Sequence, residues 1–382
     1  MKITGIICEY NPLHLGHKKQ LDFIRRESPD GGIVCLMSGN FVQRGAPAII
    51  DKMLRARAAV DCGADLVLEL PTTAALSSAE GFASQGVEIL SRFCNNLCFG
   101  AENADTDALM QVARSLLSPE FSAALRTELD KGLSFPAARQ NALKAMGIDA
   151  SALETPNNIL AVEYCKAIIS QSSAMKPMPI FREGSYHDML PNAQNPSATS
   201  LRSLMTDGKD WQSYVPQPAI ACYQNAALHT LSYGEKAILT KLRTMTDDDF
   251  AALPYGTEGL WRKLMHASRK EATLEDILAA VKSKRYTRTR IDRMVMCAFL
   301  GITKEMLATP APYVRALALN SRGREILKTI RNIGDFPNIG EAQNHPYQLL
   351  ENRWGDLYGL FSQTPEPPGL EQCKRIYVQP EI

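Results

Sequence analysis

An apolar strand, a loop broken by proline and a helix that opens on two histidines fill residues 3–26, and this unit constrains the rest of the chain. Ile3, Gly5, Ile6, Ile7 and Cys8 form a run with the pattern of a strand buried in a parallel sheet. Glu9-Tyr10-Asn11-Pro12-Leu13 ends it, because proline is excluded from central strands. From about Gly16 the period becomes helical, with Leu21 and Ile24 on one face and Lys18, Lys19, Arg25 and Arg26 exposed. In His14-Leu15-Gly16-His17 the two imidazoles lie three residues apart at the helix start and point the same way. The free N–H groups and the positive dipole at that helix end suit an anion, above all phosphate. Gly16 leaves out the side chain that would keep a nucleotide at a distance. Two ordinary loop histidines are the bland alternative. Their place after the first strand, at the start of a strand/helix alternation, favours the ligand role.

The chain of 382 residues is long enough for two domains, each with a core. Its 45% hydrophobic and 22% charged residues are those of a soluble globular protein. A net charge of +1 gives no global case for nucleic acid or membrane, so any basic surface must be local. No stretch approaches the roughly 18 apolar residues of a membrane span. Met1-Lys2 leads straight into the first strand without a signal peptide, and a cytoplasmic location is expected. The nine cysteines are mostly isolated. Cys94 and Cys98 lack a second pair or a histidine at ligand spacing, so buried free thiols are expected rather than a metal site or disulfides.

Gly32–Met37 reads as a second strand, and Ser38-Gly39-Asn40-Phe41-Val42-Gln43-Arg44-Gly45 as an active-site loop beyond its carboxyl end. Asp51 is a plausible cap for a helix from Lys52 to Val60, whose Lys52 and Arg55 are candidates for a ligand role or for a solvated face. Asp65–Pro71, Leu97–Gly100 and Met178–Arg182 complete five strands. The helices between them run from Ser78 to Leu90 and over about 105–175. Asn157 and Asn158 open one helix; one can cap it and the other is left for a base or ribose. Arg182 falls at a strand end, where a guanidinium can pair with phosphate, ahead of Glu183–Asp188. Ser197-Ala198-Thr199-Ser200-Leu201-Arg202 is either a capped helix or a second phosphate cradle. Past residue 214 helices take over, with Arg288–Leu300 and Pro312–Leu319 among them. Three stretches there are basic: Lys282–Arg293 with Tyr286 embedded; Arg262, Lys263, Arg269 and Lys270; and Arg315, Arg322, Arg324, Lys328 and Arg331. Each is a candidate phosphate-backbone footprint or a solvated helix face.

His14-Leu15-Gly16-His17 resembles the signature of the HIGH-type nucleotidyltransferases, and Ser197, Thr199 and Arg202 resemble their second, triphosphate-closing signature. Ala198 stands where that pattern carries another hydroxyl. Longer blocks are similar to one family, the bacterial tRNA(Met) cytidine acetate ligases. They are Gly5–His17, Met37–Gly45, Glu69-Leu70-Pro71, Cys98-Phe99-Gly100, Pro156–Leu160 and Lys284–Arg290.

The resemblance implies an α/β, Rossmann-like nucleotidyltransferase domain over 1–214, with a helical insertion over about 105–175. A mostly helical domain over 215–382 would bind tRNA. It implies ATP as cosubstrate with Mg²⁺ on its phosphates, acetate and elongator tRNA(Met) as partners, and no membrane, protein partner or dedicated metal site. His14, His17 and Arg202 would be catalytic. The nucleotide would contact Ile7, Cys8, Glu9, Tyr10, Asn11, Pro12, Leu13, His14, Leu15, Gly16, His17, Lys18, Lys19 and Gln20. Further contacts would be Gly100, Asn157 or Asn158, Arg182, Ser197 and Thr199. The expected reaction is acetylation of the wobble cytidine through acetyl-adenylate. A nucleotidyltransferase acting on a small phosphorylated metabolite and a non-catalytic RNA-binding protein are the alternatives.

Overall fold

The computed structural model describes residues 1–182, 197–283, 285–309, 314–331 and 346–380. The expected loop Glu183–Asp188, Lys284 of the basic stretch and the Pro312 end of one expected helix lie outside these residues.

Strand β1 (Ile3–Cys8) leads into α1 (Leu15–Glu27), and β2 (Gly32–Ser38) into a hairpin of β3 (Phe41–Val42) and β4 (Ala46–Pro47). Then come α2 (Lys52–Asp61), β5 (Leu66–Leu70), α3 (Thr72–Ala75), α4 (Ala79–Leu90) and β6 (Asn96–Ala101). Helices α5 (Thr106–Leu116), α6 (Pro119–Asp130), α7 (Phe135–Ala145) and α8 (Pro156–Ser170) precede β7 (Lys176–Phe181). They are followed by α9 (Ala198–Thr206) and α10 (Gln217–Tyr223). A helical cluster holds α11 (Leu231–Thr244), α12 (Asp247–Ala252), α13 (Leu260–Lys270), α14 (Leu274–Val281), α15 (Arg288–Leu300) and α16 (Lys304–Ala308). The chain then supplies β8 (Arg315–Leu319), α17 (Ser321–Arg331), α18 (Pro346–Tyr358), α19 (Leu370–Cys373) and β9 (Tyr377–Val378).

The main sheet has the order β7-β6-β1-β2-β5-β8-β9. Its five parallel strands, β5-β2-β1-β6-β7, are those expected from the apolar runs, and β1 pairs in parallel with both β2 and β6. The winding therefore reverses between β1 and β6, and in such sheets the crevice beyond the carboxyl ends at that reversal is where ligands bind. Helices α4, α5 and α8 cover one face, joined by Ile326 and Ile330 of α17. Helices α1, α2, α9 and α10 cover the other. A separate core fills the helical cluster and takes in Phe41 of the hairpin, Trp354, Tyr358 and Phe361. Strand β7 lies at a sheet edge and carries Pro177 and Pro179. All nine thiols are free; Cys373 is exposed, Cys8 half-buried and the rest buried.

Two expectations are corrected. Residues 314–319 are not helical, because β8 pairs antiparallel with β5, Leu319 opposite Leu66. The four apolar residues Ala316 to Leu319 bury both their faces in a strand, and the exposed edge of β5 needs a partner. Lys52 and Arg55 face neither ligand nor solvent. Asp51 caps α2 as expected, accepting from the Met53 N–H, but the first turn is buried. The Lys52 ammonium lies 2.6 Å from Glu69 Oε1 and 2.6 Å from Glu371 Oε1, and Arg315 Nε lies 3.2 Å from Glu69 Oε2.

Lys52→Met would leave the buried Glu69 and Glu371 carboxylates sharing Arg315, with Lys374 compensating Glu371 alone. The expected cost is about 3–5 kcal/mol of stability, read from urea unfolding. A loss under about 1 kcal/mol would mean that the network is not a stabilising unit.

Candidate functional site

At the crevice beyond β1 and β6 lies a cavity of about 750 Å³, a size suited to a nucleotide. The N-terminal ends of three helices border it: His14 and Gly16 at α1, Pro156 and Asn157 at α8, and Ser197, Ala198 and Thr199 at α9. Such ends favour anions.

The histidine pair is built by its own helix. His14 caps α1 with Nδ1, which accepts the Gly16 N–H at 3.1 Å. His17 Nδ1 accepts the His14 N–H at 3.3 Å, closing a reciprocal cap. The rings stack with centroids 3.7 Å apart. A Cβ on Gly16 would come within 3.0 Å of the His14 ring, so the glycine is required by the cap itself as well as by the cavity. Burial, with the charges of neighbouring arginines added, pushes the His17 imidazole down to about 3 and His14 well below its ordinary value. For His14 the adjacent His17 ring adds to the effect, followed by Arg182 and Arg202; for His17 the added charge is Arg182. Both rings are therefore neutral near pH 7, and with Nδ1 accepting, each carries its proton on Nε2 as a donor. His14 Nε2 is buried and has no partner among the described residues. A buried donor of this kind calls for an acceptor from a ligand.

Both arginines are close enough for their charges to act on His14, and Arg182 acts on His17 as well. Arg202 donates to the Asn11 carbonyl at 2.8 Å and to Thr199 Oγ1 at 3.0 Å, which ties α9 to the loop ahead of α1. The Ser197 hydroxyl caps α9 by accepting the Ser200 N–H at 3.1 Å, so the cap and the cavity-lining role coincide. Arg182 donates to Asn157 Oδ1 at 3.4 Å.

Of the expected contacts, Ile7 to Asn11, His14, Gly16, His17, Lys19, Gln20, Gly100, Asn157, Arg182, Ser197, Thr199 and Arg202 line the cavity. Leu13 is in the core, Pro12 is buried, and Leu15 lies on α1 without lining the cavity. Lys18 pairs with Asp22. Asn158 turns away, its Oδ1 accepting the Asn103 N–H at 3.0 Å, so of the two asparagines it is Asn157 that lines the cavity. Sequence reasoning missed the wall of Ala79, Phe82, Leu160 and Tyr164 from α4 and α8, whose apolar spacing reads as ordinary core. Gln43 and Arg44 of the hairpin also line the cavity.

The basic stretches are less open than their composition implies. Arg288 forms a bidentate pair with Glu275 at 2.8 and 2.7 Å, and Arg293 is buried, donating to the Gln43 carbonyl at 3.2 Å. Arg315 belongs to the buried network around Lys52, and Arg322 donates to the Gly31 carbonyl at 3.1 Å. Arg290, Lys263 and Arg285 ring the buried Tyr286 at 5.5, 5.5 and 5.9 Å from its centroid. Arg262, Lys263, Lys282 and Arg285 are exposed on this side.

The profile of the family described as HIGH Nucleotidyl Transferase matches residues 1–368. A tRNA(Met) cytidine acetate ligase of Clostridium acetobutylicum is 34% identical, covering 96% of this chain and 97% of its own. That of Clostridium perfringens is 37% identical over 95% and 96%. The crystal structure of apo Thermotoga maritima TmcAL superposes with a TM-score of 0.90 at 28% identity, over 99% of this chain and 100% of that one. The same protein bound with alpha-thio ATP gives 0.88 at 28% identity, with the same coverage.

The depressed histidines bear on stability. Unfolded, they titrate near 6.5 and bind protons that the folded rings refuse, so their contribution is complete above pH 6.5 and is lost as pH falls toward 3. The urea midpoint is expected to drop from pH 7.5 to pH 5 in the wild-type protein and to drop less in His17→Gln. Equal drops would show that the ring is not held neutral.

Proposed function

The chain belongs to the HIGH nucleotidyl transferases and, among them, to the tRNA(Met) cytidine acetate ligases, and we propose that it joins acetate to ATP and passes the acetyl group to the wobble cytidine of elongator tRNA(Met). The observation that carries the chemistry is the Nε2 donor of His14 at the N-terminus of α1, unpartnered among the described residues, with His17 stacked on it and the charges of Arg182 and Arg202 acting on it. Neutral N–H donors, guanidinium groups and a helix end together fit a triphosphate.

In the first step an acetate oxygen forms a bond to the α-phosphorus, and the bond to the bridging oxygen of pyrophosphate breaks. Negative charge grows on the phosphate oxygens, and the donors above meet it from fixed positions. No protein nucleophile is required. In the second step the exocyclic amine of cytidine attacks the acetyl carbon, AMP leaves with the bonding pair, and the amine loses a proton. Gln43 and Arg44, which line the cavity from the hairpin, are our candidates for the acetate side. Among the described residues no group of three or more His, Cys, Asp or Glu side chains is placed to hold a metal, so Mg²⁺ enters this proposal on the phosphates of ATP. The exposed cations Arg262, Lys263, Lys282 and Arg285 are proposed to meet the tRNA backbone.

Mass spectrometry of nucleosides from unmodified tRNA, incubated with protein, ATP and labelled acetate, is expected to find labelled N4-acetylcytidine confined to methionine tRNA. AMP and pyrophosphate without that nucleoside would keep adenylation and reject the acceptor. His17→Ala is expected to lower acetate-dependent pyrophosphate exchange by about 10²–10³. Arg262→Glu combined with Arg285→Glu is expected to weaken tRNA binding at least about tenfold and flatten its salt dependence, with ATP affinity unchanged. Wild-type tRNA affinity in that variant would move the RNA surface elsewhere.

A further inference from the structure

Glu102, one residue past the end of β6, does not line the cavity, yet three groups at the start of α8 converge on its carboxylate. The Thr155 hydroxyl donates to Oε2 at 2.9 Å, the Asn158 N–H to Oε2 at 2.9 Å, and Asn157 Nδ2 to Oε1 at 2.6 Å. Thr155 holds the cap position of α8 without capping it through its own side chain. An acceptor from a different element thus satisfies the helix end.

The third bond reaches further. A carboxylate accepts only, so it fixes the nitrogen of the Asn157 amide on its own side and leaves Oδ1 facing the other way. A guanidinium donates only, and it is Arg182 Nη1 that meets Oδ1, at 3.4 Å. The amide is thereby held in one orientation from both ends. Arg182 in turn is close enough to the histidine pair for its charge to depress both imidazoles. We infer that Glu102 is a positioning residue of the nucleotide site, acting through the orientation of Asn157 to hold Arg182 over the phosphate-binding histidines. The inference rests on the proposed ATP site but not on the identity of the acyl group or the acceptor.

The isosteric change Glu102→Gln puts an NH₂ group among three donors. Asn157 can relieve the clash by turning its amide over, which sets its own NH₂ against the guanidinium. Direct calorimetry is expected to show ATP binding weakened about five- to tenfold, the scale of one ordinary hydrogen bond. In acetate-dependent pyrophosphate exchange the KM for ATP should rise by the same factor, with kcat within about twofold. On an Asn157→Ala background the substitution should add no further loss, because the relay is already cut. Glu102→Asp keeps an acceptor-only group on a shorter arm and should fall between wild type and Glu102→Gln. It serves as the probe if the glutamine variant does not fold. Unchanged ATP affinity in either folded variant, or a full additional loss on the Asn157→Ala background, would reduce Glu102 to a cap of α8 and overturn the assignment. A wild-type protein that binds ATP with the expected Glu102 dependence but exchanges no pyrophosphate with acetate would overturn the proposed reaction and leave this relay standing.

Discussion

The guanidinium of Arg55 is fully buried, and it satisfies itself almost wholly on the backbone. It donates to the carbonyls of Ile50 at 2.8 Å, Glu9 at 2.6 Å and Ser38 at 3.2 Å, and to that of Gly39. A buried cation is tolerated only when its donors are met, and these carbonyls lie at the ends of β1 and β2 and just ahead of the α2 cap. One side chain therefore fixes where β1 stops, where β2 stops and how α2 starts. The loop carrying Asn11 to His14 departs from the first of these points, and the hairpin of β3 and β4 from the second. Their positions relative to each other, and so the shape of the site, follow from that shared anchor. Glu9 reinforces it by accepting the Gln43 N–H at 2.8 Å.

The hairpin is where the site meets the helical cluster. Phe41 inserts into the cluster's core, edge-on to Tyr358 and Phe361 at 5.9 and 6.2 Å. Gly45 adopts φ +79°, and a Cβ there would sit 2.4 Å from the Arg293 nitrogen, so the turn and the close approach to α15 both demand glycine. Gln43 and Arg44 lie between these contacts and look into the cavity. The basic residues that begin α15 and the groups around the nucleotide cavity are thus separated by a few tightly packed side chains rather than by a hinge.

What could be read from the chain depended on whether the signal was local. The helix start at His14–His17 carries its signal in adjacent residues, as do the five parallel strands. The site elements Gly100, Asn157, Arg182 and Arg202 fall at strand ends or helix starts, which are visible as changes of period. Strand β8 was not legible, because four apolar residues in a row can bury equally well in a helix and only the vacant side of β5 decides. Lys52 and Arg55 read as ligand-binding or solvated cations because their partners Glu371 and the Glu9 carbonyl are distant in sequence. For the same reason Arg288 and Arg293 read as an open basic footprint, although Glu275 and Gln43 hold them. Phe82 and Tyr164 look like core spacing, and their contact with the cavity comes only from the reversal of winding between β1 and β6.

The two prolines of β7 carry a consequence for how copies of this chain meet. The Lys176 and Arg182 N–H groups point inward, donating to Asn95 and Ala101 on the β6 side. Backbone direction alternates along a strand, so the nitrogens of Pro177 and Pro179 face outward, where neither has a proton to give. That rim of the sheet presents acceptors with most of their complementary donors removed. A foreign strand laid against it would find half a ladder, and edge-to-edge polymerisation is discouraged by composition alone, with no covering element required.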